Sequence, residues 1–248
     1  MIVGKPRGRA TIAARTLAVD IGGTGIKMVV LDGAGTLLTQ RVRVRTPKPS
    51  TPAAVMSAIV DVANTQGAFE RVSIGFPGVV RQGVTVTAPN LGRAWEGFDL
   101  ATALSKKLGK PVRVANDADV QGLGVIAGRG VELVITLGTG FGSALFLDGT
   151  LVPNLELAHH PFRAGKTYED TLGLAALKKA GKQRWNRRLE KAIRTLAQVF
   201  NYDRLYLGGG HAKKITIALP SNVTCFENVT GLLGGLVLWR DEVTTRRF

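Results

Sequence analysis

The chain has 248 residues, 45% of them hydrophobic and 31 of them glycine, enough for one large domain or two small ones with many tight turns. Its 33 basic against 18 acidic residues leave a net charge of +15, which beyond solubility points to nucleic acid, an anionic membrane surface or another polyanion without choosing among them. A single cysteine excludes an intrachain disulfide and any multi-cysteine metal site, and no apolar run approaches the roughly 20 residues of a membrane helix.

In chain order, residues 1–15 carry Lys5, Arg7, Arg9 and Arg15 but no apolar segment of a secretory signal. They read as a disordered basic tail on a cytoplasmic protein. Residues 16–20, 26–31 and 36–45 read as a three-stranded meander. In the third strand Val42 and Val44 alternate with Arg41, Arg43 and Arg45, giving one solvated basic face. A proline-rich break precedes a helix near 53–65. A buried strand at 71–76 enters the loop Gly75-Phe-Pro-Gly78, and a minor strand follows at 84–87. Residues 98–108 read as a helix ended by Gly109, and 112–115 as a strand running into Asn116-Asp-Ala-Asp119. Asp117 or Asp119 is expected to cap a helix reaching about 128. Strands at 131–137 and 143–147, helices at 168–179 and 184–200, strands at 204–207 and 222–226, and a helix at 229–240 complete the reading. This pattern gives an N-terminal α/β lobe at 16–113 and a C-terminal lobe at 114–228, with residues 229–248 returning to the first lobe.

One pattern occurs twice, in Leu17–Gly33 and Leu133–Gly149: an apolar run, a Gly-Thr-Gly turn, a second apolar run and Asp-Gly. The turns lack side chains where an anion could approach backbone amides. Two copies suggest two related halves facing one polyanion across a cleft. Asp20, immediately before the first turn, could position Mg²⁺ through water, or could be a turn or capping aspartate. The second copy has Thr136 there.

Asn116 and Asp117 stand where a strand meets the expected cleft. Moving a phosphoryl group to an alcohol needs a carboxylate to accept the hydroxyl proton and polar groups to hold the other hydroxyls. Asp117 and Asn116 suit these roles, although simple capping also accounts for them. Glu156, His159 and His160 suit a metal, sugar hydroxyls or an exposed loop. In the helix at 184–200, Trp185, Leu189, Ile193, Leu196 and Phe200 form an apolar stripe. Arg184, Arg187, Arg188, Lys191 and Arg194 fall on another side, which reads as a solvated face or a track for a long anion.

Together these motifs resemble the ROK family of sugar kinases, and within it the polyphosphate glucokinases. Asp20-Ile-Gly-Gly-Thr-Gly-Ile-Lys27 resembles the first phosphate motif and Leu137-Gly-Thr-Gly-Phe-Gly-Ser143 the second. Gly75-Phe-Pro-Gly78 and Asn90 resemble the sugar-side loops, Asn116-Asp-Ala-Asp119 the sugar and catalytic segment, and Leu207-Gly-Gly-Gly210 the nucleotide segment. The likeness runs from about Thr16 to Arg240.

The resemblance implies an actin-like, ribonuclease H-like two-lobed α/β fold with an interlobe cleft. It makes Asp117 the base and Asn116, Glu156, His159, Asn90 and Glu169 the sugar-binding set. Asp20, Gly22, Gly23, Thr24, Gly25, Lys27, Gly138, Thr139 and Gly140 would hold phosphate, with Mg²⁺ on Asp20. Gly208, Gly209, Gly210, Arg184, Arg187, Arg188 and Lys191 would carry the nucleotide or polyphosphate. The family's Glu-x-Gly-His appears here as Glu156-Leu-Ala-His159, and the cysteine-rich zinc motif of many members is missing, as it is in polyphosphate glucokinases.

The expected activity is transfer from inorganic polyphosphate, and from ATP as a second donor, to the 6-hydroxyl of glucose in a homodimer. The alternatives are an ATP-only hexose or amino-sugar kinase and a sugar-responsive nucleic-acid-binding regulator. The first hairpin begins by residue 16, leaving no room before it for the helix-turn-helix of such regulators, so no specific nucleic acid is expected as a partner, and with no long apolar run no membrane is expected either.

Overall fold

A computed structural model describes residues 14–227 and 232–240. The first sheet is built on β1 (Thr16–Ile21), where Leu17, Val19 and Ile21 are buried on one face and Ala18 on the other, as befits a central strand covered on both sides. The glycine turn folds β2 (Gly25–Leu31) back antiparallel, with Asp20 opposite Lys27. β3 (Val42–Arg45) joins β2 at the sheet edge.

The third strand is shorter than the expected 36–45. Asp32 Oδ1 accepts from the Ala34 and Thr36 amides at 2.9 and 2.8 Å. That side chain competes with the ladder and bends the chain into a turn. α1 (Pro52–Ala63) starts at Thr51, whose hydroxyl accepts from Ala54 N, with proline in the first turn. β4 (Arg71–Phe76) then pairs parallel with β1.

A small antiparallel sheet follows, from β5 (Val80–Arg81), β6 (Val84–Thr85) and β7 (Phe98–Asp99). α2 (Leu100–Leu108) is capped by Asp99 and stopped by Gly109 at φ 63°. β8 (Val112–Asn116) lies parallel to β4, so the order is β3-β2-β1-β4-β8. The expected lobe boundary at 113/114 falls inside β8, which belongs to the first sheet over its whole length.

α3 (Asp117–Leu123) leads into the second sheet. There β9 (Val131–Leu137), β10 (Phe141–Leu147) and β11 (Thr150–Val152) form a second meander. The short hairpin β12 (Pro161–Arg163) and β13 (Lys166–Thr167) precedes α4 (Tyr168–Leu172) and α5 (Leu174–Phe200), the latter broken at Gly181 where φ is 74°. The helix expected at 168–179 is therefore interrupted at Gly173, and the break before the next segment sits at Gly181. β14 (Arg204–Gly208) and β15 (Val223–Cys225) add in parallel, giving β11-β10-β9-β14-β15. Both sheets have the same strand order and the same parallel and antiparallel sense, so the sequence repeat is a repeat of fold.

Each sheet carries its own core, Ile59, Phe76, Trp95 and Leu100 on the first and Trp185, Leu189, Ile193 and Leu196 on the second. α3 lies between the lobes and packs Ala118, Val120 and Leu123 with Val134, Ala144 and Phe146 of the second sheet. Gly122 gives the Phe146 ring its place, since a Cβ there would meet the ring edge.

Of the expected C-terminal helix, residues 228–231 and 241–248 lie outside the described residues. The described part holds α6 (Gly234–Val237). Leu232 packs with Ala18, Val29 and Leu31 of the first sheet. Buried Ser73 donates to the Gly235 carbonyl at 2.5 Å and accepts from Trp239 Nε1 at 2.8 Å. Residues 1–13 of the basic tail are likewise outside the described part, whereas Arg15 is held by Glu70 in a 2.6 Å ion pair.

Ser73→Ala leaves that carbonyl and indole unpaired and is expected to cost about 1–3 kcal/mol. A lowered urea midpoint at an unchanged denaturant slope is the result to look for.

Candidate active site

The cleft between the sheets has a volume of about 440 Å³. The first turn enters it through Gly22, Gly23, Thr24 and Gly25, and the second through Gly138, Thr139 and Gly140. Gly22 N donates to Gly25 O at 3.0 Å and Gly138 N to Gly140 O at 3.1 Å, so both turns are closed by their own backbone. Thr46, just after β3, donates from its Oγ1 to the Gly22 carbonyl of the first turn at 2.5 Å. Asp20, at the end of β1, accepts from Lys27 Nζ at 2.7 Å in a half-buried pair.

Asn116 ends β8 with its side chain buried. Its Oδ1 accepts from Ala118 N at 2.8 Å and Asp119 N at 3.2 Å, so Asn116, rather than either aspartate, caps α3. Its Nδ2 donates to Gly78 O at 3.2 Å and to Glu156 Oε1 at 3.3 Å. One carboxamide thus fixes the helix start, a loop of the first lobe and a carboxylate of the second.

Asp117 shares the Ala118 amide through its Oδ1 at 2.8 Å and faces the cleft from the first turn of α3, one turn before Gln121 on the same lining. Burial pushes its carboxyl up to about 8, helped by the charges of Asp20, Glu156 and Asp119 and opposed by the Ala118 amide. Asp119 turns inward instead. It is buried, with Oδ2 accepting from Asn154 N at 3.3 Å and Oδ1 without a partner, and burial raises it to about 7. Asn154 also exchanges two 3.1 Å hydrogen bonds with the Val80 backbone, a clasp from lobe to lobe.

Glu156 opens a short 3-10 turn, and His159 Nε2 lies 3.7 Å from its Oε2. Burial raises the Glu156 carboxyl, with His159 pulling it down and Glu169 pushing it up. Ser143, on β10, receives Leu157 N at 3.1 Å and donates to Leu155 O at 2.5 Å, which holds the Glu156 loop in place. Ala158, where the family pattern has glycine, lines the cleft beside His159. His160 is outside the lining; its ring Nδ1 lies 2.8 Å from Pro161 O.

Asn90, Asn116, Glu156, His159 and Glu169 all line this one cavity with Asp117. Glu169, expected on the sugar side, accepts from Phe141 N at 3.2 Å, and its carboxylate abuts Gly140 of the second turn. Gly209 and Gly210 also line the cleft, but Gly208 does not: it is a β14 residue with the Phe226 ring packed over its Cα.

Arg184, Arg187, Arg188 and Lys191 do not reach the cleft either. α5 commits Trp185, Leu189 and Ile193 to the second core, which turns Arg184, Arg187 and Lys191 outward. Arg188 faces Arg163 and Arg184, whose charges add to the burial that lowers its affinity for a proton. Residues that the motifs did not single out complete the lining, notably Arg43, Gln121 and His211. Arg43 sits in the alternation of β3, and His211 directly follows the Gly208-Gly-Gly210 turn, so both had a signal in the sequence. Burial, Lys214 and Lys213 lower the His211 imidazole, against the Gly138 backbone.

Among the described residues no set of three or more His, Cys, Asp or Glu side chains forms a protein-only metal cage. Asp20 and Asp117, close enough for one charge to raise the other, instead suit a hard cation held by one or two carboxylates, water and substrate phosphate.

The ROK family model matches residues 16–154. The chain belongs to the ROK family. The polyphosphate glucokinase of Mycobacterium tuberculosis (strain ATCC 25618 / H37Rv) is 32% identical over 243 residues, covering 91% of each chain. Among solved structures, the inorganic polyphosphate/ATP-glucomannokinase of Arthrobacter sp. strain KM is 32% identical with a TM-score of 0.83, covering 94% of this chain and all of that one. The ROK family glucokinase of Streptomyces griseus, solved with glucose and AMPPNP, shares the fold with a TM-score of 0.77 at 22% identity, covering 90% of this chain and 98% of that one. The fold is the two-lobed actin-like, ribonuclease H-like α/β architecture, and no helix of the described residues is long and apolar enough to cross a membrane.

Because the folded chain holds the Asp117 carboxyl near 8, it keeps a proton that the unfolded chain releases near 4. The stability tied to that proton is complete below the unfolded value and is lost as pH climbs through the folded one. Asp117→Asn is therefore expected to melt above wild type at about pH 8 and together with it below about pH 4, a difference that calorimetry at the two pH values measures.

Proposed function

We propose that this ROK protein is a kinase that transfers a phosphoryl group from inorganic polyphosphate to the 6-hydroxyl of glucose, with ATP as a second donor. The observation that carries the reading is Asp117, a carboxylate held near neutral titration, facing one cleft with both Gly-Thr-Gly turns. The likeness to polyphosphate glucokinases and to a polyphosphate/ATP-glucomannokinase supplies the donor and the acceptor class.

In this reading Asp117 accepts the proton of the attacking hydroxyl, and a base poised near the working pH suits that task. Asn116, Glu156, His159 and Asn90 hold the other hydroxyls. Lys27 and the amides of the two turns receive the transferring phosphate, and Glu169 braces the second turn. Mg²⁺ at Asp20 would neutralise charge on the donor and leaving group. The lobes divide at the junction of β8 and α3, so closing the cleft would bring the turns onto the donor. Mg²⁺ as the ion, a homodimer and a cytoplasmic setting free of membrane and specific nucleic acid belong to the same proposal, on family likeness.

Two measurements test it. Glucose phosphorylation should proceed with polyphosphate as donor; turnover with ATP alone would overturn the donor assignment. Asp117→Asn is expected to lower kcat by about 10²–10⁴-fold while glucose still binds, and a variant that keeps the wild-type rate rules out Asp117 as the base. In the wild type, kcat/KM for glucose should rise with pH toward about 8.

A further inference from the structure

We propose that the outgoing tail of the phosphate donor runs across β3 of the first lobe, with Arg43 taking the phosphate next to the transferring one and Arg41 and Arg45 continuing the path. This rests on the donor reading above and moves the anion track from the α5 helix to the opposite lobe.

Four observations carry it. Arg43 lines the same cavity as Asp117 and both glycine turns. Its guanidinium lies over Gly25, where a Cβ would come within 2.7 Å of Nη2, so the bare turn is what lets the cation settle on the phosphate cradle. In the β2–β3 ladder Arg43 stands directly opposite Lys27. Two like charges at one cross-strand position repel. Lys27 has Asp20 as its counter-ion, but no carboxylate of the described residues forms an ion pair with Arg43. An anion between them would relieve the repulsion and use the free guanidinium fork. Arg41, Arg43 and Arg45 are all exposed while Val42 and Val44 are half-buried, so the three arginines share one face. Alternate residues of a strand lie about 6.6 Å apart, and three of them span about 13 Å, room for several linked phosphates.

The charge balance of the cleft points the same way. Asp20, Asp117, Glu156 and Glu169 line it, against the permanent cations Lys27 and Arg43. A polyanion entering from the sugar side would pass Glu156, whereas one entering over β3 meets arginines. The four basic residues of α5 first expected to form the track lie outside the cleft lining.

The experiment is steady-state kinetics of the full chain with tripolyphosphate, long-chain polyphosphate and ATP. Arg43→Gln is expected to raise KM for both polyphosphates about tenfold or more, with a smaller change in kcat, and to flatten the salt dependence of KM. Arg43→Lys should recover part of the loss by keeping the charge. Arg41→Gln and Arg45→Gln should penalise the long chain more than tripolyphosphate. Replacing Arg184, Arg187, Arg188 and Lys191 by glutamine should leave all these constants unaltered. If the wild type uses polyphosphate and Arg43→Gln keeps its KM and salt slope, or if the α5 replacements raise KM instead, the β3 path is wrong and the kinase reading stands. If the wild type does not use polyphosphate at all, the donor reading fails and the path with it.

Discussion

The buried carboxamide of Asn116 is the contact on which the site depends. It satisfies two free amides at the start of α3, a carbonyl of the first lobe and a carboxylate of the second. A helix start with no cap leaves backbone donors unpaired. Here the residue that supplies the cap also sets where Glu156 points, and leaves Asp117 sharing only the Ala118 amide. The catalytic geometry and the local fold are the same set of hydrogen bonds.

α3 makes this contact matter beyond its own turn. It is short, but it is the element that both sheets share. One side of it faces the cleft with Asp117 and Gln121, and another packs Val120 and Leu123 into the interlobe core. Gly234 of the C-terminal segment meets its Val120 carbonyl so closely that no Cβ fits between them. The Asn154–Val80 clasp adds a second connection between the lobes. Burial at this junction also explains the raised carboxyls of Asp117 and Asp119.

Much of this was legible in the sequence, and the reasons are local. Glycine turns between apolar strands announce themselves, and the duplicated motif carried the fold class and both phosphate-side turns of the cleft. The strand into Asn116-Asp117 placed the proposed base at a strand end, where such sites lie. What stayed hidden was contact between distant elements. Capping by Asn116 rather than an aspartate depends on side-chain direction at a strand terminus. That the α5 cations lie outside the cleft lining was hidden too, because periodicity gives the face a side chain occupies but not what lies opposite that face. Arg43 was visible in the alternation of β3, yet its place over Gly25 required the register of the β2–β3 ladder. Glu169 was assigned to the sugar, and only the packing of α4 brings it to the second turn.

The two halves repeat each other in strand order, but their equivalent positions before the turn are Asp20 and Thr136. A perfectly symmetric duplication would make the cleft blind to direction, with either end able to take the charged group. Replacing one carboxylate by a hydroxyl gives it a polarity: the strand end before the first turn carries an ion pair with Lys27, whereas the one before the second carries a neutral hydroxyl. The repeated strand order thus frames a cleft whose two turns are chemically unlike.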